Sequence, residues 1–181
     1  MLRAINKTAG YSLIEMMLGI VVATVIVMTV ASAYIKHEKR AQVNTLAGEV
    51  KTLAGVAKKE YFDTHGSYTG ISTEWVNNVG VAPGWLFTPT GGGIPASFAT
   101  KISQRIIVEA GAGAYSGMLT INLNLVSPDN CVEISKKLFR HTQAIVIDGA
   151  PYKDSGVISL AEALDSACGN PGGGNGMAFY F

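Results

Sequence analysis

Residues 10–27 read GYSLIEMMLGIVVATVIV, and this stretch decides how the rest of the chain must be organised. From Met16 to Ile35, twenty consecutive residues carry no charge. As a helix rising about 1.5 Å per residue they extend roughly 30 Å, the thickness of a bilayer's hydrocarbon core. Glu15 stands at the head of the run, where a carboxylate is costly unless it lies at the interface or finds a partner. The preceding residues 1–10, MLRAINKTAG, hold Arg3 and Lys7 and no acid, so the positive-inside rule keeps this end cytoplasmic. A cut after Gly10 would create a new amine on Tyr11, with Glu15 four residues further along. On a helix that offset sets amine and carboxylate on one face, one turn apart. In a stack of staggered helices, Glu15 of one chain could pair with the Tyr11 amine of its neighbour. An unpaired buried charge is far costlier than a paired one, so the pairing would fix register more than it adds stability.

The apolar run ends at Lys36, but the helical pattern does not. Val43, Leu46, Val50, Leu53, Ala57 and Tyr61 recur at steps of 3, 4, 3, 4 and 4, with Val56 beside them. That spacing is one stripe of an amphipathic helix, and Glu49, Lys51 and Lys58 fall off it. No proline precedes Pro83, and the first strong breaker is His65-Gly66-Ser67. The pattern predicts a helix from about Ser12 to Phe62, about 76 Å long. Its first half suits an apolar environment and its second half must pack on a domain.

Beyond residue 66 the texture turns to glycine, threonine and aromatic residues. Thr73–Val79 is expected to form a short helix, and Thr88–Pro95 a loop. Gln104–Glu109 and Met118–Val126 read as strands joined by the turn AGAGAYSG. In the second strand Leu119, Ile121, Leu123 and Leu125 alternate onto one side. Ser127-Pro128 reads as an N-cap with proline at N1, opening a helix to about His141 with Cys131, Ile134, Leu138 and His141 on one face. Ala144–Ile147 is a short strand ended by Asp148-Gly149. Ser159 with Glu162 is a capping-box pattern opening a helix to Ala167. A last strand spans Met177–Phe181, after the loop GNPGGGNG. Cys131 and Cys168 are the only cysteines. In a chain sent across a membrane an even pair reads as one disulfide, two buried free thiols being the alternative.

Residues 10–35 closely resemble type IV pilins: glycine, a short polar–apolar segment, glutamate at the fifth position after the glycine, then the apolar run. The resemblance implies that Gly10 precedes the prepilin peptidase cut, that Tyr11 becomes the N-methylated first residue, and that Glu15 is needed for assembly. It also implies an α+β fold, a long N-terminal helix whose second half packs on an antiparallel sheet, with a C-terminal region closed by Cys131 and Cys168. A helix between strands and a final strand after the second cysteine look more like the type IVb branch. The implied organisation is a cleaved leader at 1–10, a membrane and filament-core helix at 11–35, and an external globular part at 36–181. Implied partners are further copies of the chain, the prepilin peptidase and methyltransferase, an assembly platform and an outer-membrane secretin. The implied location is the inner membrane, then an extracellular filament of a Gram-negative cell. Minor pilins and type II secretion pseudopilins share this N-terminus. Pseudopilins often carry a C-terminal calcium site, for which Asp154, Glu162 and Asp165 are sparse ligands.

Composition narrows the other classes. The 181 residues have a formal net charge of +1, 48% hydrophobic and 15% charged residues, and a mean hydropathy of +0.27. Nothing in that balance points to a nucleic-acid surface or an acidic tail. No GxSxG, HExxH or phosphate-loop motif occurs, so no enzyme is read here. His37, His65 and His141 are scattered, and no metal or cofactor is expected. Trp75 and Trp85 read as packing residues rather than exposed adhesive ones. The chief rival reading of the N-terminus is an ordinary secretory signal cut at the small-x-small site Ala31-Ser32-Ala33, releasing a binding domain. Against it stand Glu15 and a helical stripe that continues past the site.

Overall fold

A computed structural model describes residues 13–80, 87–88, 97–98, 100, 102–103, 105–154, 157–158, 164, 166–169 and 174–181. The chain divides into two units, Met1–Arg40 and Ala41–Phe181. Helix α1, Leu13–Val56, contributes to both. In the first unit every described residue is exposed. The aliphatic hydroxyls of the apolar run are nevertheless satisfied. Those of Thr24, Thr29 and Ser32 donate to the carbonyls of Val21, Ile26 and Thr29 at 2.7, 2.8 and 2.9 Å. A helix facing an apolar medium requires this, because no solvent is there to accept them.

In the second unit, Val43, Leu46, Val50, Leu53, Ala57 and Tyr61 are all buried, as their spacing predicts, and Ala47 and Ala54 join them. The helical path does not stop at Phe62. It passes through a π-helical turn, Ala57–Phe62, and a last α-turn, α2 (Asp63–His65). The π turn has a geometric consequence. Steps of four from Leu53 to Tyr61 would rotate an α-helical residue by about 80° off the stripe. The wider turn counters that drift and returns Tyr61 to the buried face. Its hydroxyl donates to the Thr69 carbonyl at 2.7 Å, and Trp75 meets its ring edge-on at 4.9 Å. Gly66, at φ +70°, ends the helix in the left-handed conformation that glycine adopts without strain.

The strands among the described residues form one antiparallel sheet. Its strands are β1 (Phe87–Thr88), β2 (Ser97–Phe98), β3 (Arg105–Ala110), β4 (Leu119–Val126), β5 (Ala144–Ile147), β6 (Ala150–Asp154), β7 (Val157–Ile158) and β8 (Asn175–Tyr180). They lie in the order β1-β2-β3-β4-β8-β5-β6-β7. The last strand thus sits between β4 and β5, pairing antiparallel with both. Met177 and Phe179 point to the core and their neighbours are half-buried. Short helix α3 (Thr73–Asn78) is capped by the Ser72 hydroxyl, which accepts from Trp75 N–H. Thr73 ties it to β3, its hydroxyl accepting from Val108 N–H at 2.8 Å. Helix α4 (Pro128–Leu138) buries Cys131, Ile134, Ser135 and Leu138.

Several expectations are corrected. Leu125 does not continue the buried alternation of β4; it is 52% exposed, and Val126 is buried instead. The cause is a bulge: β4 pairs with β8 at Leu123–Met177 and next at Val126–Asn175, and Leu125 takes φ +60°. Helix α4 ends at Leu138 rather than His141, and His141 is exposed. The Leu138 carbonyl accepts from the His141 N–H at 2.8 Å and from the Thr142 hydroxyl at 3.2 Å, which closes the last turn. Just beyond it the Lys153 ammonium donates to the carbonyls of Phe139 and Thr142 and lies 4.6 Å over the Phe139 ring, supplying a cation where a helix C-terminus favours one. The Ser127 side chain makes no cap hydrogen bond. The strand β6 was not anticipated; Asp148 and Gly149, both at positive φ, form the tight turn that returns β5 into it. Trp75, as expected, packs against the core, half-buried. Trp85, Ser159, Glu162, Asp165 and the loop 89–95 lie outside the described residues.

The bulge explains two polar and glycine positions at once. A Cβ on Gly174 would lie 2.7 Å from the Leu125 Cα, so only glycine fits beside it. Asn175, fully buried, donates its amide to the carbonyls of Val126 and Cys168 at 3.2 and 3.1 Å. Asn175→Ala leaves both carbonyls without that donor. It is expected to lower unfolding stability by about 1–3 kcal/mol. Urea titration should move the midpoint down with little change in slope; an unmoved midpoint would show that the amide holds nothing.

Candidate assembly helix and disulfide-closed region

Glu15 lies in the first turn of α1 and is exposed. Around it the apolar side chains from Leu13 to Ile35 are 51–76% exposed. This surface is long and apolar enough to cross a membrane. Gly10 and Tyr11 lie outside the described residues, so the predicted amine–carboxylate pair rests on sequence spacing alone.

The second site joins the two cysteines. Cys131 sits on the buried face of α4, and its N–H donates to the Ser127 carbonyl at 2.9 Å. Cys168 follows the helical residues Ser166–Ala167 and is equally buried. They form a disulfide with Cα atoms 5.8 Å apart and a sequence separation of 37. The Cys168 carbonyl accepts from Asn175, so the bridge, the bulge and the start of β8 are held together. The bridge therefore closes a region that contains β5, β6 and β7 and leads into the central strand. Sequence reading identified the cysteines but not Asn175, Gly174 or Lys153. Only the length and composition of GNPGGGNG hinted that the approach to β8 is unusual.

The histidines are dispersed. The His65 ring stacks on Tyr61 at 4.3 Å and its Nδ1 lies 3.0 Å from the Tyr61 carbonyl, which is a structural contact. Among the described residues no three His, Cys, Asp or Glu side chains gather as a metal site. A groove of about 690 Å³ runs beside the second half of α1, with Lys51, Lys58 and His141 around an aromatic floor of Phe62, Tyr68 and Phe181. Burial pushes the Glu49 carboxyl above its ordinary range.

An exposed apolar helix, a packed continuation of it, an antiparallel sheet and a disulfide-closed C-terminal region together define the pilin class of filament subunits. The model of the family described as PilS N terminal matches residues 40–179, and the chain belongs to that family. A crystal structure of a type IV b pilin from Salmonella typhi is similar, with a TM-score of 0.58 and 24% identity over 76% of this chain and 98% of that one. At that identity the likeness is one of fold. No curated protein sequence matches the chain. The chain is a type IV pilin of type IVb-like architecture, a structural subunit and not an enzyme.

Reduction should matter. The loop-entropy relation assigns a bridge of this span roughly 3–4 kcal/mol, the split between entropy and enthalpy depending on the model. Cys131→Ser is expected to lose about that much in chemical unfolding. Alkylation of the native, unreduced protein should label neither cysteine; labelling of both would mean the bridge does not form.

Proposed function

We propose that the chain is synthesised as a prepilin, is cut after Gly10 by a prepilin peptidase, and polymerises through α1 into a pilus. The observation that carries this reading is the surface from Leu13 to Ile35. It is apolar around its whole circumference, its aliphatic hydroxyls bond within the helix, and its one carboxylate, Glu15, is at the head. Such a surface is stable only against lipid or against copies of itself. The proposal uses both in turn.

Before assembly residues 11–35 hold the subunit in the inner membrane, with residues 36–181 on the far side. The cut removes 1–10 and frees the Tyr11 amine, which the same enzyme methylates. A methylated amine keeps its positive charge, so it still pairs with a carboxylate. On leaving lipid, the apolar half-helices bundle as the filament core. Glu15 would then be buried, and the neighbouring Tyr11 amine is the cation the cut supplies. The assembly platform and the outer-membrane secretin would act on this species. The filament would serve adhesion, aggregation, motility or conjugation.

The rival cut after Ala33 is disfavoured by the backbone there. α1 runs helical through Ala31-Ser32-Ala33, and the Ser32 hydroxyl donates to the Thr29 carbonyl.

Mass spectrometry of filament-derived protein should find a chain lacking residues 1–10, with the added mass of one methyl group; a chain lacking 1–33 would sink the proposal. Glu15→Ala should leave processing intact while filaments fall to a small fraction of normal. Abundant filaments in that variant would remove the pairing role. Gly10→Val should accumulate uncut precursor, because a branched side chain crowds the scissile bond.

A further inference from the structure

The apolar run ends in Lys36-His37-Glu38-Lys39-Arg40, all exposed and all within α1. At about 100° per residue, Lys36, Lys39 and Arg40 fall within an arc of roughly 100°, and Glu38 lies on the opposite side. The three cations therefore share one face at one end of the apolar segment. Their stems are long enough to follow the helix surface and set the charges at the level of lipid phosphates.

This cluster is not explained by orientation. The rule that places Lys and Arg on the cytoplasmic side counts Arg3 and Lys7 before the run, and Lys36, Lys39 and Arg40 after it. The far side thus carries more Lys and Arg than the leader side, which by that rule opposes export of the globular part. Removal of residues 1–10 takes Arg3 and Lys7 away and leaves this cluster as the Lys/Arg group flanking the segment.

We propose that Lys36, Lys39 and Arg40 form a cationic collar that binds the phosphodiester headgroups of anionic phospholipids on the face where the globular part emerges. The guanidinium of Arg40 presents paired donors to a phosphate, and the two ammonium groups act as point charges. The collar fixes the depth of the helix in lipid, so that Glu15 is held at the opposite interface rather than drawn into the hydrocarbon. The proposal rests on the membrane-anchoring half of the function given above.

The full chain is reconstituted in vesicles of phosphatidylcholine alone and of equimolar phosphatidylcholine and phosphatidylglycerol. Spin-labelled lipids report which headgroup is retained next to the protein. Each Lys or Arg near an anionic surface contributes about 1 kcal/mol, or roughly fivefold, before screening. The expected result is a preference for phosphatidylglycerol that the triple variant Lys36→Gln, Lys39→Gln, Arg40→Gln lowers at least about fivefold, with Arg3 and Lys7 supplying what remains, and that salt weakens. Glutamine keeps the helix propensity, so circular dichroism and the intact disulfide verify that the variant is folded. An equal preference in the variant, or none in the parent, overturns the collar. So does displacement by inorganic phosphate beyond that caused by sulfate at the same ionic strength, which would mean a free-ion site. Insertion without headgroup preference sinks the collar alone. Failure of the chain to insert in either vesicle sinks the anchoring reading and the collar with it.

Discussion

Burial of one face of α1 against the sheet is the contact on which the second unit depends. Val43, Leu46, Val50, Leu53 and Tyr61 are at most 6% exposed. Full burial of a side chain such as Leu or Val is worth about 1.5–3 kcal/mol, an upper value because unfolded chains already bury some surface. Several such residues on one helix exceed what helix propensity alone supplies, so packing rather than intrinsic preference holds this half helical. The described residues of the preceding half of α1, Leu13–Arg40, are all exposed. Its apolar surface must be covered by something else, and a lipid phase or a bundle of like helices is what its composition suits. The division of labour along one helix makes the molecule a subunit rather than a free domain.

The sheet answers this demand by placing its last strand in the middle. β8 has neighbours on both sides, so the chain's final segment is bonded to β4 and β5 rather than left as a fraying edge. Opposite the start of β8, β4 bulges and Leu125 takes a left-handed backbone. Gly174 makes the approach possible because it has no Cβ to meet Leu125. Asn175 then satisfies two carbonyls that the bulge and the end of the preceding turn leave without partners. The disulfide fixes Cys168, the other end of the same approach. These residues form one device, and none of them acts independently of the others.

What could be read from sequence follows from which patterns are periodic. The twenty-residue apolar run, the stripe from Val43 to Tyr61 and the alternation in β4 up to Leu123 repeat, and repetition is what sequence displays. The helix breaker at Gly66 was legible because glycine there has a local reason. The bulge was not, because Leu125 looks like the next member of an alternating strand; the two-against-one pairing that expels it is set by β8, fifty residues away in the sequence. β1 and β2, at two residues each, are too short to carry a period. The end of α4 was misplaced for the same kind of reason, since the cation that meets the carbonyls just beyond it, Lys153, comes from β6. Of the candidate site, Glu15 and the cysteines were legible from residue type and spacing, whereas the polar groups that orient the bridge were not.

The charges of the N-terminal helix impose a further constraint on assembly. A segment with an acid at one end and three cations just beyond the other is well suited to a membrane, where each charge can remain in an interface. Moving that segment into a protein bundle removes both interfaces together. The acid then needs a cation at its own level, which cleavage at Gly10 would create four residues away. The cations, being exposed on α1, can be solvated by water outside the apolar core. The two ends are therefore unequal. The Glu15 end has to be re-paired inside the bundle, and the Lys36–Arg40 end only has to be released. A barrier to extraction set by headgroup contacts at the second end would keep subunits anchored until the first end has a partner, so the order of the two events would follow from where the charges stand.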